Sequence, residues 1–521
     1  MLNQINKNLQ NFYKMKVAIN EAFDLPKLPA SPIPVSYKLL DNPQEALGNK
    51  SEVLEELLFS FRNDNKLILA LIENCPKDKD KSQHELLSRF LVHNFYENIL
   101  NSTFVQEEML VLFYLLLEEL IDKGDVTMNK KGESHYLGGT FLFEMFRSLS
   151  LKEDIRAYLS VILNKVVIKL ENITDNVLTV KLKEVQDYLT KEKGKNKIQA
   201  GKHSKRNRNS FEQSLTDNVT PYDYIKSQNL TLSFLKKQLQ STSMDSSKTL
   251  PEEKDFLNYN ISLMESKGEK SFSIDSLLND ISKKDETCVN ELMLNIRKTI
   301  YLIDLIIQNL HENISTIPYT IRCLCKIINA LITEKYKSSL NDYEKISYTI
   351  TFFFESFLIP IILYPDHHGV ITTSIISLNV RKNLQIISTI LTQIRKGILF
   401  TSKDKDYAEY TIFNTYIIKI IPKILHIFNS IRSTKLPTVL ETLMTQRTNS
   451  NRKINYDYFK HNHTENITHQ SICFNWENIL TFIKIIKKNK NKFIEIAPEM
   501  KNTFEKVITY ENDFLNLINR L

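Results

Sequence analysis

The chain has 521 residues, of which 42% are hydrophobic and 25% are charged, and these proportions exclude wholesale disorder and allow a sizeable core. Only 10 glycines and 14 prolines occur, too few for a many-stranded sandwich or barrel, or for an enzyme with a glycine-rich nucleotide loop. The formal charge of +7 is mild for this length and does not indicate a nucleic-acid-binding protein. The composition therefore predicts an all-α protein of long helices.

The cysteines and the first residues bear on the compartment. Five cysteines are scattered along the chain, an odd and dispersed set that is typical of a reducing compartment and not of a disulfide framework. Residues 1–4 are not a basic start followed by an apolar run, so we expect no signal peptide. These features predict a cytoplasmic protein, with peripheral contact to a membrane left open.

The first part of the chain reads as a connector followed by packed helices. Residues 1–50 hold one helix and then a segment with four prolines over 25–37, which predicts an extended connector. Ser51 is suited to cap the next helix, and apolar residues then recur at helical spacing. This pattern predicts the first half of a helical domain over 51–192.

The character of the sequence changes at residue 193. Residues 193–208 contain seven basic side chains and almost nothing apolar, and polar sequence continues to about residue 284. This composition favours a largely disordered insertion over 193–284. A second interpretation stays open, in which 193–208 is a basic segment that binds an acidic membrane surface.

Helical periodicity resumes after the insertion. We predict the second half of the domain over 285–432, a polar linker over 433–470 and C-terminal helices over 471–521. Residues 346–364 are strongly apolar, but they include Glu355 and a proline. Because a membrane span needs about 20 nearly uncharged residues, we expect a buried core helix there and no transmembrane segment.

The common catalytic and metal-binding motifs are missing from this sequence. It has no phosphate-binding glycine loop, no GxSxG elbow and no HExxH helix. Cys323 and Cys325 lack the second pair that a structural zinc site needs, and His367 and His368 have no further ligand nearby. We interpret both pairs as structural, and we predict no metal, no cofactor and no nucleic-acid partner.

Three stretches in a fixed order carry a more specific signal. IPYTIRCLCK (317–326) is followed by FFFESFLIPIILYPDHHGVI (352–371) and then by NVRKNLQIISTIL (379–391). This order resembles the RasGAP domain, with its IPYxxRxxxK helix start, its proline-containing helix and turn, and its RRNLxxIxxxL helix. Residues 61–68 resemble the opening of the same domain. The resemblance is closest to the IQGAP group, and nearly as close to the endocytic group that joins a RasGAP-like domain to a Rab-exchange domain.

The resemblance implies a mechanism and marks two substitutions in it. A RasGAP binds a GTP-loaded small GTPase in a groove between helices and inserts an arginine finger, which contributes about 10³–10⁵ in rate. In this chain the finger position corresponds to Leu137, and the second arginine, which usually holds the finger loop, corresponds to Ser356. Neither side chain supplies a guanidinium. IQGAP proteins also lack the finger and are understood to bind GTPases without speeding hydrolysis.

The resemblance further marks residues expected to face the GTPase, namely Lys130, Lys131, Gly138, Arg322, Lys326, Arg381, Lys382 and Asn383. Lys130 and Lys131 are candidates to replace the finger's charge, and Arg147 is a third candidate inside a predicted helix. Lysine supplies charge without the planar fork of arginine. Arg322 is equally open to a structural role. Arg381 and its neighbour are open to a role as a solvated first turn, although cations there oppose the helix dipole.

Three hypotheses follow for the function. The first is a RasGAP-domain protein that binds and regulates a Ras- or Rab-type GTPase in its GTP-bound form, with weak or no activating activity. Such a protein is a regulator or scaffold rather than an enzyme with its own active site. The second is an active GTPase-activating protein with a substitute finger. The third is a helical scaffold without a GTPase partner.

Overall fold

The computed structural model describes residues 50–75, 82–96, 103–122, 141–173, 177–198, 220–244, 250–266, 271–272, 275–281, 284–366, 368–371, 376–401, 406–448, 476–513 and 515. The chain divides into two compact units. One comprises residues 1–79 and 474–521, and the other residues 80–473.

Helices form nearly all the regular structure of the described residues. The first are α1 (Lys50–Asn63), α2 (Asn65–Glu73), α3 (Ser82–Arg89), α4 (Thr103–Asp122), α5 (Phe141–Leu149), α6 (Glu153–Ile173) and α7 (Leu182–Ile198). The next are α8 (Pro221–Ser227), α9 (Leu232–Met244), α10 (Pro251–Ser266) and α11 (Asp275–Ile281), accompanied by β1 (Leu230–Thr231) and β2 (Ser271–Phe272). Then follow α12 (Glu286–Glu312), α13 (Tyr319–Lys335), α14 (Asp342–Phe353), α15 (Ile359–Leu363), α16 (Leu378–Lys396), α17 (Asn414–Arg432) and α18 (Thr438–Thr448). The last are α19 (Trp476–Lys488), α20 (Lys490–Ile496) and α21 (Lys501–Thr509).

Short helices of other types connect some of these elements. Two π-helical segments, Phe90–Phe95 and Phe354–Leu358, continue α3 and α14. The 3₁₀ segments are Ile314–Thr316, Ala408–Phe413 and Pro498–Met500. The strands β1 and β2 pair antiparallel over two residues each. The predicted all-α class is confirmed.

The first unit packs the helices of the N-terminal half against those of the C-terminal end. Helix α1 contacts α2 and α21, and α20 contacts α2. Phe61 lies at the centre of an aromatic cluster, with its ring 4.7 Å from Phe482, 5.7 Å from Phe493 and 6.3 Å from Phe504. All four rings are buried, so this cluster joins α1 to the helices after residue 475 in one core.

Helix α12 is central to the second unit and contacts α6, α7, α8, α16 and α17. Its apolar residues recur at helical spacing, and the buried ones include Leu302, Ile303, Ile306, Ile307 and Leu310. Its polar side chains are used internally. Asn309 donates to the carbonyl of Ile162 at 2.8 Å, and Asn295 donates to the carbonyl of Thr179 at 3.1 Å. These bonds fix α6 and the segment after it against α12.

Two helical stretches of the described residues are long and apolar enough to cross a membrane, Asp342–Leu363 and Ala408–Arg432. In each, 78% of the apolar window is buried inside the protein. Phe352, Phe353 and Phe354 of the first stretch are at most 1% exposed. Burial of this kind is what a core helix requires, so the prediction for residues 346–364 agrees with the structure.

Part of the predicted insertion is folded. Residues 199–219 lie outside the described residues, but α8 to α11 pack within the second unit, and α10 contacts α14 and α17. On α10, Phe256 packs against Tyr343 with ring centroids 5.1 Å apart, and Asn260 donates to the carbonyl of Gly397 at 3.1 Å. The expectation of disorder is therefore corrected for these helices. The narrow stripe of Phe256, Leu257, Ile261 and Met264 is buried, although the surrounding composition is polar.

Candidate functional site

The turn that joins α15 to α16 is shaped by its backbone. Gly369 has a φ of 66°, a left-handed conformation that glycine adopts without steric cost. The amide of Val370 donates to the carbonyl of Pro365 at 2.9 Å, and the amide of His368 donates to that of Tyr364 at 3.1 Å. We call residues 364–371 the motif turn, because they contain the end of the proline-containing motif.

The start of α16 is fastened to the motif turn. The hydroxyl of Ser377 caps α16 by accepting from the amide of Val380 at 3.3 Å. Nη2 of Arg381 lies 2.8 Å from Oδ2 of Asp366, and the two side chains are only 11% and 17% exposed. Arg381 is therefore a buried clamp on the turn, and the interpretation as a solvated first turn does not hold for it.

The next two predicted contacts differ in exposure. Lys382 is exposed and forms no ion pair within the described part of the chain. Asn383 is fully buried, and its side-chain oxygen accepts from the amide of Leu178 at 2.6 Å. Asn383 thus positions the segment that follows α6, and its burial corrects the expectation that it touches a partner directly.

Helix α6 presents an arginine to the other side of the motif turn. A Cβ added to Gly369 would lie 3.3 Å from Nη1 of Arg156, and the hydroxyl of Ser160 donates to the carbonyl of Val370 at 3.4 Å. The Nε of Arg156 is buried without a hydrogen-bond partner, and Arg156 has no ion pair among the residues that the structure describes. The sequence reasoning missed this residue. Its one sequence signal is a cation in a first helical turn, against the dipole.

Lys152 and Arg89 are further cations near Arg156, and all three lie close to His93. His93, on the π-helical segment after α3, meets the carbonyl of Ser148 at 2.7 Å through Nε2. Burial lowers the pKa of His93 to about 4, and the nearby cations Lys152, Arg89 and Arg156 act in the same direction. Burial is thus the main reason that a proton on His93 is disfavoured, and the three cations add to it.

Ser356, which the sequence predicts at the position of the second arginine, lies in the core. Ser356 is in the π-helical segment after α14 and is 1% exposed. Its neighbour Glu355 pairs with Arg395 at 2.7 Å; burial raises the pKa of Glu355, and Arg395 opposes that rise. Helix α5 packs on this segment, with the ring of Phe146 4.5 Å from that of Phe352. The chain thus has a small buried hydroxyl at this position.

Of the residues predicted to supply or replace the finger, Arg147 lies within the described part of the chain. Lys130, Lys131, Leu137 and Gly138 lie outside the described residues. Arg147 lies within α5, where its Nη1 is 3.1 Å from Oε2 of Glu144. Its guanidinium thus pairs with a carboxylate of its own helix.

Arg322 and Lys326 have different neighbours from Arg381 and Lys382. Both lie on α13, which begins directly after Pro318 as predicted, and both face the end of α17. The amine of Lys326 donates to the carbonyl of Thr434. Arg322 lines a cavity at this corner, between the ends of α12 and α17 and the start of α13.

The cysteine and histidine pairs have structural surroundings. Cys323 and Cys325 are both buried, and burial raises the pKa of Cys323 to about 11, so its thiol stays protonated. His368 is 6% exposed, and His367 lies outside the described residues. Within the described ranges, no three His, Cys, Asp or Glu side chains are placed to hold a metal ion.

Comparison with known proteins identifies the family of this chain. The family model described as GTPase-activator protein for Ras-like GTPase matches residues 102–396, more than half of the chain. A search of curated proteins found no similar chain. The matched range includes the motif turn, Ser356, Arg156 and α12 to α16. The chain belongs to the RasGAP family, as its resemblance to that domain implied.

Proposed function

We infer from membership of the RasGAP family that the protein has a regulatory role toward a Ras-like GTPase. We propose that this protein binds the GTP-loaded form of such a GTPase and regulates it with little or no acceleration of hydrolysis. The observation that supports this most directly is the buried Ser356, which the motif resemblance aligns with the second arginine of the family.

The missing activity follows from the chemistry of the substitutions. A finger arginine neutralises charge that develops on the transferred phosphoryl group, and it contributes about 10³–10⁵ in rate. The family pattern aligns Leu137 with that finger and Ser356 with the arginine that supports it. A serine hydroxyl is too short and carries no charge, so it cannot hold a finger loop as a guanidinium does. Binding needs neither arginine, because it depends on the surface around them.

We propose that the binding surface lies on both sides of the motif turn. Arg156 meets the turn from α6, and Lys382 follows Arg381, which is paired with Asp366 of the same turn. Arg156 and Lys382 have no ion pair among the described residues, so both charges are available to an acidic partner. Ras-type switch surfaces are acidic, and complementary charge raises the rate of encounter and fixes orientation.

Capture of small GTPases from lysate, loaded with GTP analogue or GDP, tests this proposal. The variant to use is Lys382→Glu, because Lys382 is exposed, whereas a change at Arg381 would also break the clamp on Asp366. Lys337→Glu is the matched control, since Lys337 is exposed and without an ion pair in the described chain. We expect GTP-dependent capture that falls about tenfold in Lys382→Glu, as for a charge-assisted contact, and is unchanged in Lys337→Glu.

Two outcomes would contradict the proposal. No capture in either nucleotide state would favour a helical scaffold without a GTPase partner. Capture with strong acceleration of hydrolysis, abolished by Lys130→Ala with Lys131→Ala, would favour an active protein with a lysine finger.

Finer features of the proposal rest on the sequence. We propose that the protein is of the IQGAP type, that it is cytoplasmic, and that residues 193–208 bring it to acidic membranes. The support is the ordered motifs, the dispersed cysteines and the seven basic residues of that segment. Co-sedimentation with phosphatidylserine vesicles, with and without residues 193–208, would test the membrane contact.

A further inference from the structure

A cavity of about 550 Å³ opens where three helices of the second unit meet. It lies between the end of α12 with the 3₁₀ segment after it, the start of α13, and the end of α17 with the residues that follow. Its volume is in the range of sites for small molecules, about 300–1,000 Å³. The polar and charged lining includes His311, Glu312, Ser315, Arg322, Ser433 and Lys435.

The two strong cations of the cavity have no acidic partner. Arg322 forms no ion pair with any described residue, and its Nε is buried without a hydrogen-bond partner. Lys435 is exposed and likewise has no described ion pair. The acidic lining residue, Glu312, accepts from the neutral amide nitrogen of Gln308 at 2.7 Å and forms no ion pair with Arg322 or Lys435. The lining thus has two strong cations against one carboxylate, and this excess of positive charge favours an anion.

The fold fixes the backbone that carries these two cations. The hydroxyl of Tyr319 donates to the carbonyl of Lys435 at 3.2 Å, and the amine of Lys326 donates to the carbonyl of Thr434. These two bonds tie the segment after α17 to the first turns of α13, where Arg322 lies 5.9 Å from the ring of Tyr319. A backbone that is ordered in advance reduces the conformational entropy lost when an anion binds.

We propose that this cavity binds the phosphate of a phosphorylated polyol, either a soluble inositol phosphate or the same headgroup on a lipid. Arg322 would supply a planar pair of donors to phosphate oxygens, and Lys435 a second charge. The hydroxyls of Ser433 and Thr434 already donate to backbone carbonyls, so the cations carry the affinity. Arg322 is also one of the residues expected to face the GTPase, so the two proposals are separated through Lys435, which has no part in the GTPase site.

Titration calorimetry of the full chain with inositol 1,4,5-trisphosphate is the first arm of the test. We expect binding that weakens about tenfold or more in Arg322→Gln, where a bidentate charge-assisted contact is lost. Loss of the single charge in Lys435→Gln should weaken binding about threefold. Lys337→Gln, which removes an exposed lysine two residues beyond the end of α13, should leave the affinity unchanged.

Sedimentation with phosphatidylcholine vesicles, with or without phosphatidylinositol 4,5-bisphosphate, is the second arm. Binding of the soluble compound assigns a free ligand, and binding to the doped vesicles alone, weakened in Lys435→Gln, assigns a lipid headgroup. Binding in neither arm overturns the proposal, as does equal weakening by all three variants, which would indicate general charge attraction. If a thermal melt shows that Arg322→Gln does not fold, Lys435→Gln alone tests the cavity. Lys435 is exposed, so its replacement should leave the fold intact. In GTPase capture Lys435→Gln should behave as wild type, so the two proposals fail separately.

Discussion

At the start of α16, Arg381 lies 2.8 Å from Asp366 and is 11% exposed, whereas at the start of α13 Arg322 has no ion pair among the described residues. Both arginines come from stretches that resemble RasGAP motifs. The difference lies in the local carboxylates. Asp366 of the motif turn accepts a hydrogen bond from Arg381. Glu312, which lines the same cavity as Arg322, accepts from Gln308 instead. A motif arginine that the fold places beside an acidic side chain therefore stabilises the structure, as Arg381 does. One without such a neighbour, as Arg322, keeps its charge for a ligand.

Removing the acid of the clamp should have the largest effect on stability. Asp366→Ala leaves Arg381 largely buried and unpaired, and loss of one partner of a buried pair costs about 3–5 kcal/mol. Urea denaturation followed by circular dichroism would measure this. The control is Asp366→Ala with Arg381→Met, which removes both charges and should recover most of the loss. If the single and double variants are equally destabilised, the pair is not a clamp.

Acid should weaken the α6 side of the same region. The pKa of His93 is about 4 in the folded protein, below the ordinary 6.5, because the ring is buried near Lys152, Arg89 and Arg156. The unfolded chain then binds more protons between these values, so stability is full above pH 6.5 and falls as the pH drops toward 4. We expect a loss of about 1–2 kcal/mol between pH 7 and pH 5 from this group. His93→Gln should flatten this part of the pH profile, and an unchanged slope would refute the assignment.

Removing the free arginine should have the smallest effect on stability. Arg322→Gln breaks no described ion pair and leaves no buried acid behind, so we expect a loss of less than about 1 kcal/mol. Urea denaturation beside Asp366→Ala gives the contrast directly. A loss as large as that of Asp366→Ala would mean that Arg322 is a second clamp, and the distinction between the two regions would disappear.

The sequence predicted the elements of this fold better than the roles of its polar side chains. Helical periodicity predicted the second half of the domain over 285–432, which contains α12 to α17, and the motif order identified the family. These signals are local along the chain. The pairing of Arg381 depends on a residue fifteen positions away, and the burial of Asn383 on a segment more than two hundred positions away, so spacing alone could not show either.

The sequence did not predict helices α8 to α11 or the place of Arg156 beside the motif turn, for related reasons. Average polarity between residues 220 and 281 hides the short buried stripe on α10, which gains its stability only by packing on α14 and α17. Arg156 becomes a candidate contact only because the fold places it beside Gly369 of the motif turn, which follows it by more than two hundred residues. Tertiary packing decided both cases, and no local pattern encodes it.

Single-turnover hydrolysis on a captured GTPase tests the central claim most directly. The GTPase, loaded with radiolabelled GTP, would be mixed with excess full chain, and the rate compared with that of the GTPase alone. We predict GTP-dependent binding with a hydrolysis rate changed by less than about tenfold, because in the proposed function leucine and not arginine lies at the finger position. Acceleration on the order of 10³-fold or more would show that the chain supplies that charge from another residue, and it would contradict the account.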